Sequence, residues 1–455
     1  MKPRFIPHSY QRDIIRFIED TPRCAVWAGM GTGKTASTLM ALDHLSLVEG
    51  NIFPALVLAP LRVAKSTWPD EVAKWEDFKH LRVSVISGSV GERERALADK
   101  AEIYTMNYDN LIWLTSELID HWPFKTVIAD EFTRLKNYRT RQGGRRSRAL
   151  AEVAHRDVTR FIGLTGTPSP NGLSDLWGQT WFLDKGARLG RSFSAFEGRW
   201  FTRGWDGYSV KPTPYAQEEI EDRLRDICLT VPGLPVDEPI FNTIEVDLPL
   251  KARATYNEME RDMFVMIDKF GVDAPNAATQ CGKLQQLANG AIYVDDDHNW
   301  AEVHRAKLEA LESIVEEAAG APVLVSYNFR SDLSRLKAAF PQAQVLDADP
   351  DTIKRWNAGK IPILLAHPKS AGHGLNLAEG GNILAFFSVD WNLEEHLQII
   401  ERIGPMRQKQ AGLNRPVFVH MICAKNTVDF MVLERLQTKR NRQDILLAAL
   451  KRHAL

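Results

Sequence analysis

The sequence predicts an α/β fold: two parallel, doubly wound sheet lobes with a mainly helical insertion between them. Three observations carry this. From residue 24 to about 170, short apolar runs alternate with helical patterns, and the same alternation resumes after residue 320. Between the two, roughly residues 173 to 300 read mainly as helices with aromatic-rich connections. The domains expected are 1–172, a first sheet lobe; 173–300, insertion and connector; and 301–455, a second sheet lobe.

In chain order, the strands expected in the first lobe are Cys24 to Trp27, Ala55 to Ala59, Val83 to Ile86, Ile103 to Met106, Val127 to Ala129 and Phe161 to Leu164. All are short and mostly apolar or β-branched, as strands of a parallel sheet are. The insertion carries Trp177, Trp181, Phe182, Phe193, Phe196, Trp200, Phe201 and Trp205, which read as helix packing rather than a base-stacking platform. Strands expected in the second lobe are Val323 to Ser326, Gln344 to Leu346, Ile363 to Ala366, Ile383 to Phe387 and Val417 to Ile422. A last helix runs from Thr427 to about Leu450. There is no short-period repeat and no low-complexity tract.

Two motifs in the first lobe carry chemistry. Ala28-Gly29-Met30-Gly31-Thr32-Gly33-Lys34-Thr35 follows the first strand and opens a helix. Glycines there let backbone N–H groups converge on phosphate oxygens, and the helix points its positive end at the anion. Lys34 can reach the β- and γ-phosphates, and the Thr35 hydroxyl can coordinate Mg²⁺. The strict pattern has glycine where this chain has Ala28. About a hundred residues later, Val127 to Ala129 runs into Asp130-Glu131. Asp130 at the end of a strand can hold the Mg²⁺ shell, while Glu131 orients and deprotonates the attacking water. Gln11, upstream of the loop, is a candidate to read the adenine edge with its amide. The second lobe has no phosphate loop of its own, so one nucleoside triphosphate is expected for the pair of lobes.

Composition bounds the partners. Hydrophobic residues make up 44% and charged residues 25% of 455, as in ordinary globular proteins. A net charge of -1 gives no global sign of a nucleic-acid partner, so any such site must be a local basic surface. One candidate follows Asp130-Glu131: Arg134, Lys136, Arg139, Arg141, Arg145, Arg146 and Arg148. Phosphate contacts of this kind position a protein without reading sequence. Four well-separated cysteines suggest neither a zinc site nor a disulfide framework. No export signal and no run of about eighteen apolar residues is visible, so a cytoplasmic protein without a membrane span is expected; it is also expected to be monomeric.

The order of the motifs completes a resemblance. Asp130-Glu131-Phe132-Thr133-Arg134-Leu135-Lys136-Asn137 resembles the D-E-A-H-R-L-K-N motif of Swi/Snf-type DNA translocases, a branch of the superfamily-two helicases whose phosphate loop reads A-x-x-G-x-G-K-T. Leu58-Ala59-Pro60 followed by Trp68, Glu71 and Trp75 resembles motif Ia, Thr105-Met106-Asn107-Tyr108 motif Ib, and Leu164-Thr165-Gly166-Thr167-Pro168 motif III. Val323 to Tyr327 resembles motif IV, Ser370 to Leu377 motif V, and Gln398 to Gln408 motif VI; Trp391-Asn392, Thr427-Val428-Asp429 and Lys439 also match related residues. The match spans nearly the whole chain.

This resemblance implies two RecA-like lobes, ATP and Mg²⁺ as cofactors, and DNA, chiefly double-stranded, as the track. It implies that Gly372, Gly374 and Asn376 touch nucleotide and DNA backbone, and that Arg402 and Arg407 are candidate arginine fingers for the γ-phosphate. Arg62, Asn107, Thr165 and Lys369 are the implied nucleic-acid contacts, beside Arg139 and Arg145 of the basic cluster. Two departures bear on the coupling and the finger: Thr133 stands where the family has histidine, and Pro405 where motif VI has its second arginine, a variation that resembles short bacteriophage or bacterial members and implies a bacterial or phage-infected cell. Beside a duplex translocase, a single-stranded DNA or RNA helicase and a nucleotide-gated DNA-binding module with weak turnover stay open.

Overall fold

A computed structural model describes residues 2–29, 31–141, 143–203, 210–231, 237–295 except 271–273, 297–347, 349–370 and 375–451. Met30, Trp205, Gly372 and Gly374 lie outside these residues. The chain divides into two compact units, one formed by 1–234 with 439–455 and the other by 235–438.

The strands are β1 Arg23–Ala28, β2 Ala55–Ala59, β3 Val83–Ile86, β4 Ile103–Asn107, β5 Thr126–Asp130, β6 Arg160–Thr165, β7 Phe201–Arg203, β8 Val210–Pro212 and β9 Cys228–Val231 in the first unit. In the second they are β10 Ile240–Val246, β11 Ala291–Tyr293, β12 Trp300–Glu302, β13 Val323–Ser326, β14 Gln344–Val345, β15 Ile363–Ala366, β16 Ile383–Phe386 and β17 Phe418–Ala424.

The first unit is built on a parallel sheet in the order β3-β4-β2-β5-β6-β1-β9. Successive residues of its strands alternate between two cores: Ala25, Trp27, Leu56, Leu58, Val127 and Phe161 enter one, Cys24, Val26, Val57, Ile128 and Ile162 the other. Both faces are thus covered by helices, the situation that makes parallel strands apolar throughout. Trp177, Trp181, Phe182, Phe196 and Trp200 are buried in the first core.

The second unit repeats the plan with β10-β17-β16-β13-β15-β14, also parallel. Val323, Val325, Ile363 and Leu365 point to one core, Leu324, Leu364, Leu384 and Phe386 to the other. Sequence periodicity left two edge strands unread. β9 and β10 lie in the stretch expected to be mainly helical, yet each extends a sheet, and the hairpins β7–β8 and β11–β12 lie there too. Among the described residues, no helix is long and apolar enough to cross a membrane, and all four cysteines are free thiols.

Candidate nucleotide site

All strands of the first sheet are parallel, so their carboxyl ends share one edge, where ligands of open α/β sheets bind. Buried β1 delivers Ala28 to this edge. Gly31 and Gly33 follow with φ of 73° and 77°, left-handed conformations that suit glycine. Gly33 caps the helix Lys34–Glu49, which has neither a side-chain cap nor an acidic residue in its first turn. Its first turn therefore carries no side chain that would compete with an anion at the positive end of the helix.

The loop is braced from behind. Thr32 is buried and its hydroxyl donates to Gly29 O at 2.8 Å. Gln11 Nε2 donates to Thr32 O at 3.0 Å, and Gln11 Oε1 accepts from His8 N at 2.9 Å. A Cβ on Gly33 would lie 2.3 Å from Gln11 Nε2, so this packing also needs glycine. Lys34 Nζ donates to the carbonyls of Ala28 at 2.6 Å and Gly29 at 2.9 Å, which keeps the ammonium against the loop. Thr35, the next residue, is half-buried.

Asp130 ends β5 in register with Leu164 of β6, which is in register with Val26 of β1. The acidic pair is therefore level with the strand that feeds the loop, two strand spacings or roughly 10 Å across the sheet. Asp130 Oδ2 accepts from Trp68 Nε1 at 2.9 Å, Oδ1 from Glu131 N at 3.1 Å, and its main-chain O from Tyr108 OH at 2.9 Å. Burial first, and the Asp130 charge second, hold the Tyr108 phenol well above its ordinary pKa, so it remains a donor. Glu131 adopts φ 57° and ψ 58°, a strained conformation of the kind that collects at functional sites. Thr133 is buried and its Oγ1 has no hydrogen-bond partner.

The implied nucleic-acid residues of the first unit differ in exposure. Arg62 is half-buried at the head of the helical turn Val63–Thr67. Asn107, buried at the end of β4, donates to Asp109 Oδ2 and accepts from Asn110 Nδ2. Thr165, buried at the end of β6, accepts from Thr167 N at 3.1 Å. The guanidinium of Arg139 donates to the carbonyls of Lys136 and Tyr138 and lies 3.5 Å over the Phe193 ring. Arg141, Arg145, Arg146 and Arg148 are exposed.

In the second unit, Arg402 is buried on the helix Leu393–Ile403 and donates to Leu375 O at 3.2 Å. Pro405 starts a new short helix, Pro405–Gln410, a position where its missing N–H costs nothing. That helix carries Arg407, whose Nε is buried without a partner and whose pKa is lowered by burial against the opposing effect of Glu401. Gln408 donates to the carbonyls of Ala378, Gly381 and Ile403 and is structural. Asn376 Oδ1 accepts from Ala378 N at 3.2 Å. Lys369 is exposed in a cleft shared with Asp390 and Glu395, where burial and the neighbouring Asp390 lift the Glu395 carboxyl to about 7.

Trp68 and Tyr108 are the functional candidates the sequence reading missed. They entered it as motif matches, but nothing in one sequence shows that both would bond to Asp130 across the sheet.

Residues 23–231 match the SNF2-related domain. The chain is 54% identical to protein p41 of Acyrthosiphon pisum secondary endosymbiont phage 1, over 98% of this chain and 99% of that protein. It is 24% identical to the ATP-dependent DNA helicase DDM1 of Arabidopsis thaliana, over 90% of this chain and 57% of that protein. Among solved structures, the Sulfolobus solfataricus SWI2/SNF2 ATPase core in complex with dsDNA aligns with a TM-score of 0.45 and 22% identity, covering 98% of this chain and 94% of that one. The chain belongs to the SNF2 family, and with it to the DNA-dependent ATPases of helicase superfamily two. It spans nearly all of the phage relative but only 40% of a Mycoplasma genitalium ATP-dependent helicase and 57% of the Arabidopsis protein.

Proposed function

We propose that this chain is an ATP- and Mg²⁺-dependent motor that translocates along double-stranded DNA. The observation that carries the reading is the shared carboxyl edge of the first sheet, where the loop Ala28–Thr35 and the pair Asp130-Glu131 end in one SNF2-family unit.

In this reading the loop N–H groups, those of Met30 included, and Lys34 bind the β- and γ-phosphates. The Thr35 hydroxyl and Asp130 carboxylate would hold Mg²⁺, an all-oxygen donor pair suited to a hard cation, which neutralises phosphate charge when bound. Glu131 orients the attacking water and takes its proton. Arg402 and Arg407 neutralise charge developing on the γ-phosphate, with Gly374 beside the nucleotide. The unpartnered Nε of Arg407 supports that role, since a guanidinium left short of acceptors favours an anion. Gln11, already bonded to His8 and Thr32, couples adenine contact to the shape of the loop.

DNA phosphates are met by the exposed Arg141, Arg145, Arg146 and Arg148, by Lys369, and by Arg62 and Asn107. Arg139 and Thr165 support that surface from beneath. The protein works as a monomer in the cytoplasm of a bacterial or phage-infected cell. The test is ATP turnover with duplex DNA, single strands and RNA, followed by displacement of a triplex strand from duplex. Stimulation by duplex with strand displacement is expected; stimulation by RNA alone would sink the reading.

A second reading, a nucleotide-gated DNA-binding module with weak turnover, is favoured by the unpartnered Thr133 hydroxyl and the helix restart at Pro405. Glu131→Gln separates the two: turnover equally low before and after substitution supports the module.

A further inference from the structure

We infer that Trp68 is a positioning residue for the Asp130 carboxylate and that the helical turn before it couples the DNA-facing segment to the nucleotide site. The inference rests on the ATPase reading above. Residues Val63–Thr67 form a π-helical turn, and the Trp68 N–H bonds to Val63 O, five residues back. The next residue explains the wide turn. Pro69 has no N–H, and in an α-helix its ring would press on the carbonyl of Lys65; the π turn removes that clash.

Trp68 is fully buried, and its indole N–H goes to a carboxylate rather than a backbone carbonyl. Such charge-assisted bonds are roughly twice as strong as neutral ones. Glu131 N bonds to Oδ1 and Trp68 Nε1 to Oδ2, so the two oxygens of Asp130 are held from two sides, which orients the plane of the carboxylate. The same turn is tied to its neighbours. Thr105 Oγ1 of β4 donates to Ala64 O at 2.6 Å, and Tyr108, just past β4, donates to Asp130 O. Arg62 at the head of the turn and Asn107 at the end of β4 are the proposed DNA contacts. One hydrogen-bonded block thus joins both contacts to Asp130, the β4 side at its main-chain carbonyl and the turn at its carboxylate, so a shift of the turn on DNA is felt at the carboxylate through Trp68.

Binding of AMPPNP is measured with Mg²⁺ and with EDTA, in the wild-type chain and in Trp68→Phe. In the variant the gain in affinity given by Mg²⁺ should shrink about tenfold, while affinity in EDTA stays unchanged. A purely structural role would weaken both alike. Stimulation of ATP turnover by duplex should fall by a similar factor. A readout independent of the variant's folding is the Trp68 indole ¹H–¹⁵N resonance of the wild-type chain, assigned by deuterium exchange and paramagnetic Mn²⁺ broadening. It should move on adding Mg²⁺-AMPPNP and again on adding duplex. An unchanged Mg²⁺ increment with unchanged DNA stimulation in Trp68→Phe, or an indole resonance indifferent to both ligands, would overturn the inference. Absence of Mg²⁺-dependent nucleotide binding in the wild-type chain would overturn the ATPase reading, and this inference with it.

Discussion

Phe132 and Gly163 show how one residue's size is set by another's. The family motif has alanine where this chain has Phe132, and the ring needs space. Gly163 of β6 supplies it, because a Cβ there would lie 2.2 Å from Phe132 Cδ1. Phe132 directly follows Glu131, so the contact also holds the strained backbone of the acidic pair. Gly163→Ala should therefore destabilise the chain by roughly 1–3 kcal/mol, the usual cost of overpacking, and lower ATP turnover by more than the lost folded fraction explains. Thermal unfolding and turnover per folded molecule check the two parts. Lys34 and Arg407 are distinguished by the step each affects. Lys34→Ala should abolish nucleotide binding measured with a fluorescent analogue, whereas Arg407→Ala should leave binding within a few-fold and slow hydrolysis by roughly a hundredfold or more, as loss of an arginine finger does. Normal DNA-stimulated turnover in Arg407→Ala would refute the finger.

At the scale of elements, legibility followed burial. Buried on both faces, strands such as β2 and β15 had the limits read from the sequence, because every residue had to be apolar. Edge strands had no such constraint: β10 leaves Ile240 and Phe241 exposed and mixes polar residues into its run, so its pattern resembles a connection. The phosphate loop and Asp130-Glu131 were legible because their chemistry is local to a few consecutive residues. The bonds of Trp68 and Tyr108 to Asp130 were not, since they depend on strand order. Lys307 is another such case. It is fully buried on the helix Ala306–Glu317, 2.7 Å from Asp429 Oδ2, and donates to Asn289 Oδ1 at 2.8 Å. Asn289 in turn donates to Asp332, and Arg335 to the carbonyls of Asn289 and His304, so one polar network pins four helices. Lys307→Met would leave the Asp429 charge buried and unpaired, at a cost of about 3–5 kcal/mol. A fall of roughly 10 °C in Tm is expected.

Across the whole molecule, buried titratable groups predict that the two units respond differently to acid. In the first unit, burial, helped by the Arg23 charge, lowers His155 to about 4, although its Nε2 donates to Trp181 O at 2.8 Å. The unfolded pKa is about 6.5, so its contribution is complete above pH 6.5 and is lost as pH falls towards 4. His304 in the second unit behaves alike, lowered to about 4 by burial. There, however, burial raises Asp332 to about 6, against an ordinary value near 3.9. A carboxyl raised in the folded state favours folding increasingly as pH falls through 6, which opposes the loss at His304. The first unit should therefore lose protection faster than the second between pH 6.5 and 4. Hydrogen exchange followed by peptide mass spectrometry reads the two units separately in the intact chain. In His155→Gln, whose amide can still donate to Trp181 O but does not titrate, the pH dependence of the first unit should flatten while that of the second stays as it was; equal slopes in the variant and wild-type chains would show that His155 does not set the acid response.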